Sequence, residues 1–282
     1  MAFKRKKYRL TNSIEVIECH TARYGAPGQP RRKKEKLTEE AVRKNNQRRK
    51  ERRCSRMVDK YFNVDDYILD LTYRKENRPA DIEECKKDLR EFFRKLKKEY
   101  AKRYYELFWI RNIEVGPRGA WHVHVVVNRI DGADFLIKDL WKEHGGVYFQ
   151  FYQDSKDRGE DIGTYIAKSE ISAPDRIVQS SWSHSRNVKE VEPEETVITG
   201  QSMNDKPRTP KGFYLDKNSY HDFINEEGYR FREYVFRRLD PVRIDHRIKP
   251  KRKSRAKARF NTRRTAKLTK LTQKGGLPLA GA

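Results

Sequence analysis

Between residues 66 and 151 the chain alternates two hydrophobic periodicities. The segment "DYILDLTYR", residues 66–74, is rich in β-branched and aromatic residues and predicts a strand. From Pro79 onward, apolar residues recur at steps of three and four, which is the pattern of a long amphipathic helix. These residues are Ile82, Cys85, Leu89, Phe92, Phe93, Leu96 and Tyr100.

Two further strands are predicted over residues 107–115 and 121–130, joined by "GPRGA". A shorter helix follows around "DFLIKDLWKEH", and then a strand that starts at Gly146. The order β-α-β-β-α-β predicts an α+β, ferredoxin-like (split βαβ) arrangement. We expect one antiparallel sheet with its helices on one face and its other face free for a ligand.

The strand that begins at Trp121 carries two histidines in an otherwise apolar run, "WHVHVVV". Because side chains alternate along a strand, His122 and His124 project from one face, opposite the face of Val123 and Val125. If the preceding turn is centred on Arg118, Glu114 lies directly across from His122 in the antiparallel register. Isolated histidines of this kind more often pack or face solvent. A His-His-Glu set nevertheless suits an open Mg²⁺ or Mn²⁺ site better than a closed zinc site.

The composition favours an acidic partner. The chain has 282 residues, 65 Lys and Arg against 41 Asp and Glu, and a formal net charge of +24. Such an excess points to a polyanion, either nucleic acid or an anionic membrane surface. No run approaches the roughly 18 apolar residues needed to span a bilayer, and the first residues lack the apolar stretch of a secretory signal. We therefore expect a cytoplasmic protein with no membrane partner.

Two segments concentrate the positive charge, residues 31–53 and 249–264. The first predicts a basic helix that starts at the cap Thr38, with Glu39 and Glu40 in its first turn. The second has no apolar periodicity and predicts a disordered tail. Solvation or non-specific attraction to phosphates explains both segments more simply than base-specific contact. The three cysteines contain no C-x-x-C pair, so neither a disulfide framework nor a thiolate zinc site is expected.

The segment "DRGEDIGTYIAKSE", residues 157–170, contains a tyrosine and a lysine three positions apart, Tyr165 and Lys168. In a helix the two would share a face, where the ammonium group would favour the phenolate or hold a phosphate oxygen. A tyrosine hydroxyl can act as a covalent nucleophile. A buried ring beside a snorkelling lysine is the simpler explanation for the pair considered alone.

Taken in order, these motifs resemble the rolling-circle replication initiators of plasmids, phages and integrative elements, which belong to the HUH endonuclease superfamily. The resemblance rests on "YILDLTY", on Glu114 with seven residues between it and "HVH", on "YIAK" from Tyr165, and on "SHSRNV" from Ser183. It covers roughly residues 22–190. A single tyrosine stands in the motif where some relatives carry a pair.

The resemblance implies an HUH endonuclease fold and a metal-assisted nickase of single-stranded DNA. Tyr165 would attack the scissile phosphodiester, giving a 5′-phosphotyrosyl link and a free 3′-OH, and would later rejoin the strands. The DNA partner would be single-stranded or an origin hairpin, in a bacterial or other prokaryotic host. No G-x-x-x-x-G-K-[ST] loop occurs, so no nucleotide cofactor is expected, and a separate host helicase and polymerase would be needed. Three arginines near the motifs are predicted to bind DNA: Arg118, Arg158 and Arg186.

The sequence is accordingly divided into four parts. Residues 1–60 form a basic leader, 61–190 the HUH endonuclease domain, 191–243 an accessory region and 244–282 a basic, disordered tail. Two other functions stay open. A relaxase or transposase would share the chemistry, although relaxases typically carry three histidines. A non-enzymatic nucleic-acid-binding protein would use the ferredoxin-like sheet as its surface, although the RRM-type aromatic signature is missing.

Overall fold

The structure is a computed structural model that describes residues 2–20, 38–115, 119–153, 166–167, 182–199, 201–224 and 229–248. The chain divides into two units, Met1–His246 and Arg247–Ala282. The first unit is α+β, with two antiparallel five-stranded sheets and three α-helices in the described part. None of these helices is long and apolar enough to cross a membrane.

The first sheet, here called the terminal sheet, joins strands from the beginning of the chain to strands from its second half. Its strand order is β8-β1-β2-β10-β9. The strands are β1 (Ala2–Arg9), β2 (Ser13–His20), β8 (Glu194–Thr199), β9 (Phe213–Ile224) and β10 (Arg230–Arg238). The predicted leader and accessory regions thus contribute strands to one sheet.

The second sheet, here called the central sheet, contains the predicted β-α-β-β-α-β run. Its strand order is β6-β3-β5-β4-β7, and every neighbouring pair is antiparallel. The strands are β3 (Tyr67–Thr72), β4 (Trp109–Val115), β5 (Trp121–Val127), β6 (Val147–Phe151) and β7 (Ser183–His184). The predicted strands and helices of this run are confirmed.

Two helices, α2 (Ile82–Lys102) and α3 (Ala133–Trp141), cover one face of the central sheet. The apolar stripe of α2 is buried, as its three- and four-residue spacing predicts. The helix begins after Asp81, whose carboxylate accepts a hydrogen bond from Glu84 N at 2.9 Å, rather than at Pro79. On this face α2 and α3 pack against the strand residues Leu69, Leu71, Ile113, Val123, Val125 and Val127.

Strands β4 and β5 are shorter than predicted because Asn128 ends their pairing. The Asn128 side chain accepts a hydrogen bond from Phe108 N at 2.7 Å and donates one to Glu106 O at 3.0 Å. Its own carbonyl accepts a hydrogen bond from the Tyr100 hydroxyl at 2.7 Å. Side-chain bonds therefore replace part of the regular ladder at this end of the hairpin, where Asn128 N still donates a hydrogen bond to Phe108 O at 3.3 Å.

Helix α1 (Glu39–Tyr61) begins at Thr38, as predicted, and its last turns connect the two sheets. Cys54, Met57 and Val58 are fully buried against Ile68 and Val126 of the central sheet. The expectation that this second face is free was therefore wrong in part. The spacing of these three apolar residues is helical. So short an apolar stripe within a highly charged segment was not recognised from the sequence.

The opposite side of α1 contacts the terminal sheet through charge. Arg56 donates two hydrogen bonds to Glu15, at 2.6 and 2.7 Å, and Arg52 pairs with Glu233 at 2.9 Å. Bidentate arginine–carboxylate pairs fix orientation as well as distance. Part of the first basic segment is consequently structural rather than available to a partner.

Candidate active site on the central sheet

The face of the central sheet that bears His122 and His124 is here called the histidine face. The register of β4 and β5 places Glu114 opposite His122, as the sequence predicts, and Asn112 opposite His124. On the other side of β5, Asp70 of β3 lies opposite His124. Three adjacent strands thus bring two carboxylates and two imidazoles onto one face.

His124 lies between the two carboxylates. Its Nδ1 contacts Asp70 Oδ1, and its Nε2 is 3.3 Å from Glu114 Oε2. Burial of His124 disfavours its charged form, but the hydrogen bonds and negative charges of Asp70 and Glu114 outweigh burial and raise its pKa to about 9. Without a metal ion, His124 is therefore protonated at neutral pH.

The other histidine is more available. His122 is half-buried and forms no hydrogen bond or ion pair with another described residue. Among the described residues, no three His, Cys, Asp or Glu side chains are already arranged to hold a metal ion. At His124, both ring nitrogens already contact carboxylates. A metal ion and the ring proton would compete for Nε2, since imidazole binds metals in its neutral form.

An exposed aromatic ring borders the cluster. Tyr148 of β6 lies opposite Asp70, on the histidine face, and its side chain is 61% exposed. Across the four strands, Tyr148, Asp70, His124 and Asn112 thus form one row of neighbouring residues. The cluster is therefore open to solvent along one edge of the sheet, whereas α1 covers the neighbouring row of Ile68 and Val126.

The other predicted site residues are described only in part. Tyr165, Lys168, Arg118 and Arg158 lie outside the described residues. Their neighbours Ile166 and Ala167 are fully buried in the apolar cluster of Ile68 and Val126, on the histidine face. Arg186 is exposed in the turn after β7 and forms no ion pair with another described residue, so its role in DNA binding stays a prediction.

Asp70 is the one residue of the cluster that the sequence did not reveal. The available signal was an acidic residue in the middle of the apolar run "YILDLTY". Its partner could not be inferred, because β3 and β5 are separated by helix α2 and strand β4, so no turn fixes their register. Glu114 and His122, in contrast, belong to one hairpin, whose short connection limits the register.

The geometry defines an α+β protein with a partly exposed histidine–carboxylate cluster on an antiparallel sheet. A family model described as "Replication-associated protein ORF2" matches residues 66–170, which include β3 through β6 and the whole cluster. This match supports a replication-initiator family. Neither curated proteins nor solved structures give a significant match.

Proposed function

We propose that the chain is a rolling-circle replication initiator that nicks and rejoins single-stranded DNA by HUH chemistry. The observation that carries the proposal is the cluster of Asp70, Glu114, His122 and His124 on one face, inside the segment that matches a replication-associated family. Charged groups packed this closely on a half-exposed face suit chemistry on a phosphate better than they suit a structural role.

The strand order supports a ferredoxin-like HUH fold. Within the central sheet, the first and third strands of the β-α-β-β-α-β run, β3 and β5, are adjacent at the middle. The second and fourth strands, β4 and β6, flank them, and both connecting helices pack on one face. This order is the one expected of a split-βαβ arrangement, in which the part of the histidine face that α1 does not cover would bind the ligand.

The donor types of the cluster suit a divalent metal ion, although no three of the described side chains are already arranged to hold one. His122, His124 and Glu114 would hold the ion, since two imidazoles and a carboxylate suit Mn²⁺ and, with more water ligands, Mg²⁺. Asp70 would orient His124 through Nδ1, which is the common second contact of a metal-binding histidine. The bound ion would neutralise charge on the scissile phosphate and align it for in-line attack.

Tyr165 is the proposed nucleophile. Its hydroxyl oxygen would bond to phosphorus as the bond to the 3′ oxygen breaks, leaving a 5′-phosphotyrosyl link and a free 3′-OH after proton transfer. The reverse reaction rejoins the strands without ATP, because the phosphoester is retained in the link. Lys168 would either favour the phenolate or bind a phosphate oxygen. The burial of Ile166 on the histidine face supports this assignment.

Two features of the described residues suit a single strand of DNA. Exposed aromatic rings stack on unpaired bases, and Tyr148 presents such a ring beside Asp70. The exposed cations Lys44, Arg48 and Arg49 on α1 form no ion pair with another described residue and would attract phosphates. A separate helicase and polymerase would extend the 3′ end that the nick provides.

The test is covalent capture of labelled single-stranded DNA by the full chain in Mn²⁺, read as a shifted band on a denaturing gel. We expect an adduct with the wild-type protein, and none with Tyr165→Phe or in excess EDTA. Tyr165→Phe should still bind DNA, because only a hydroxyl is removed. An adduct in the Phe variant would refute the nucleophile. No wild-type adduct on any single-stranded or hairpin substrate would favour a non-enzymatic DNA-binding protein.

A further inference from the structure

The terminal sheet has a pocket on the face that points away from α1. Its floor is formed by Ile14 and Val16 of β2 together with Tyr234 and Phe236 of β10, and the loop of residues 202–210 forms one side. The cavity volume is about 340 Å³. Glu15, which binds α1, projects from the opposite face of the same sheet, so the sheet and α1 separate the pocket from the histidine face.

The lining of this terminal-sheet pocket is strongly cationic. Its acidic lining residue in the described structure is Asp205. Its cationic lining residues are Arg5, Lys7, Lys206, Arg208 and Arg232. Positive charge therefore exceeds negative charge around an apolar floor.

These cations fall into two groups. Arg5 and Arg232 are held by the buried carboxylate of Glu18, at 2.5 and 2.6 Å. Lys7, Lys206 and Arg208 form no ion pair with another described residue. The second group can therefore bind an anion without breaking an existing ion pair, which lowers the cost of binding.

An apolar floor beside unpaired cations indicates a ligand with two parts, an apolar body and an anionic group. A nucleotide has both, since its base can contact the floor while its phosphate pairs with the cations. The volume lies at the lower end of the range of about 300–1,000 Å³ for small-molecule pockets, which fits one nucleotide. The chain's net charge of +24 favours nucleic acid as the source of this nucleotide.

We infer that the terminal-sheet pocket binds one nucleotide unit of single-stranded DNA, at a site apart from the histidine face. The pocket would hold a second part of the same strand or a neighbouring strand and thereby strengthen binding. The inference goes beyond the proposed nicking reaction and does not depend on it, because this binding needs neither a metal ion nor Tyr165.

The test measures binding of fluorescein-labelled (dT)₁₂ to the full chain by anisotropy, in EDTA. The pocket variant is Lys206→Gln/Arg208→Gln. The matched control is Lys211→Gln/Lys217→Gln, which removes the same charge from exposed residues that do not line the pocket. We expect Kd to rise roughly tenfold for the pocket variant and less than about twofold for the control, because two phosphate contacts are lost only in the pocket variant. Equal weakening in both would overturn the inference.

Two further measurements identify the ligand. Crosslinking of 4-thiothymidine-substituted (dT)₁₂ to residues 202–210 or 232–236 would support the pocket, and crosslinks confined to other segments would overturn it. If unlabelled dTMP binds and Lys206→Gln/Arg208→Gln abolishes this, while the affinity for (dT)₁₂ is unchanged, the pocket holds a free nucleotide and the assignment to DNA is wrong. The pocket variant should keep wild-type adduct formation at saturating DNA, which separates this inference from the proposed nicking function.

Discussion

Each of the two sheets holds one ionisable side chain between two groups of opposite charge. In the terminal sheet, Glu18 lies between Arg5 and Arg232. In the central sheet, His124 lies between Asp70 and Glu114. Glu18 lies on β2 and His124 on β5, which are the middle strands of their sheets, and the partners of each come from the two neighbouring strands.

The two clusters differ in exposure and in completeness. The side chains of Glu18 and Arg232 are 0% and 2% exposed, and Arg232 also donates hydrogen bonds to the carbonyls of Met203 and Asp205 at 2.9 and 2.8 Å. The side chains of His124, Asp70 and Glu114 are 15%, 21% and 27% exposed. A buried cluster with satisfied donors stabilises the fold. A partly exposed cluster, with the further unpaired imidazole of His122 beside it, can exchange partners with a ligand.

The largest expected effect follows from replacing His122. We expect His122→Ala to reduce metal-dependent adduct formation about a thousandfold, because a metal ligand contributes several kcal/mol to transition-state stabilisation. The free energy of unfolding should change by less than about 1 kcal/mol, because His122 has no partner among the described residues. His221→Ala, at an exposed position of β9, is the control and should keep activity. Full activity of His122→Ala would remove His122 from the site.

Glu18→Gln should instead act on stability. Removal of the carboxylate leaves Arg232 buried without a counter-charge, which costs about 3–5 kcal/mol of unfolding free energy. Chemical denaturation of the purified variants measures this directly. Glu114→Gln, the matched change in the exposed cluster, should cost less than about 1 kcal/mol. Equal losses in the two variants would contradict the distinction between a structural and a functional cluster.

Asp70→Asn tests the orientation of His124. We expect metal affinity to fall about 10- to 100-fold, which is the usual effect of losing the second contact of a ligand histidine. Calorimetric titration with Mn²⁺ gives the affinity. Asp222→Asn, a carboxylate that pairs with Arg230 in the terminal sheet, serves as the control and should bind Mn²⁺ normally. Unchanged affinity in Asp70→Asn would mean that Asp70 only neutralises charge.

The smallest effect is expected at Tyr148. Loss of one stacking ring in Tyr148→Ala should weaken binding of single-stranded DNA by about 1 kcal/mol, or roughly fivefold. Phe135→Ala removes a ring that is 74% exposed on α3, on the opposite side of the central sheet, and should leave affinity unchanged. Equal affinities of the two variants would place the bound strand away from Tyr148.

The contrast between the sheets also shows what the sequence could predict. The central sheet is built from consecutive elements, so periodicity and one hairpin were enough to place Glu114 across from His122. The terminal sheet pairs β1 with β8 and β2 with β10, strands that are more than 170 residues apart in the chain. Local patterns carry no information about such pairings. Residues 1–60 were consequently interpreted as a basic leader, and the partners of Glu18 were not foreseen.

The same limit explains why the partial coverage of the histidine face was not predicted. Helix α1 was predicted correctly from its cap and its charge. Its contact with the central sheet depends on Cys54, Met57 and Val58, a stripe of little more than one turn. To predict that Asp70 contacts His124, one would need the register of β3 and β5, two strands that are distant in sequence. The sequence could therefore predict that Glu114 lies opposite His122, but it could not predict Asp70 beside His124 or the helix that covers part of this face.

The most direct test of a metal site on the histidine face is to measure Mn²⁺ binding to the wild-type chain and to His122→Ala/His124→Ala by electron paramagnetic resonance of the free ion. We expect one tightly bound Mn²⁺ per wild-type chain and none in the double variant, whereas Lys206→Gln/Arg208→Gln in the terminal-sheet pocket should bind one, as the wild type does. Equal Mn²⁺ binding by the wild type and the double variant, or none by either, would contradict a metal site on the histidine face.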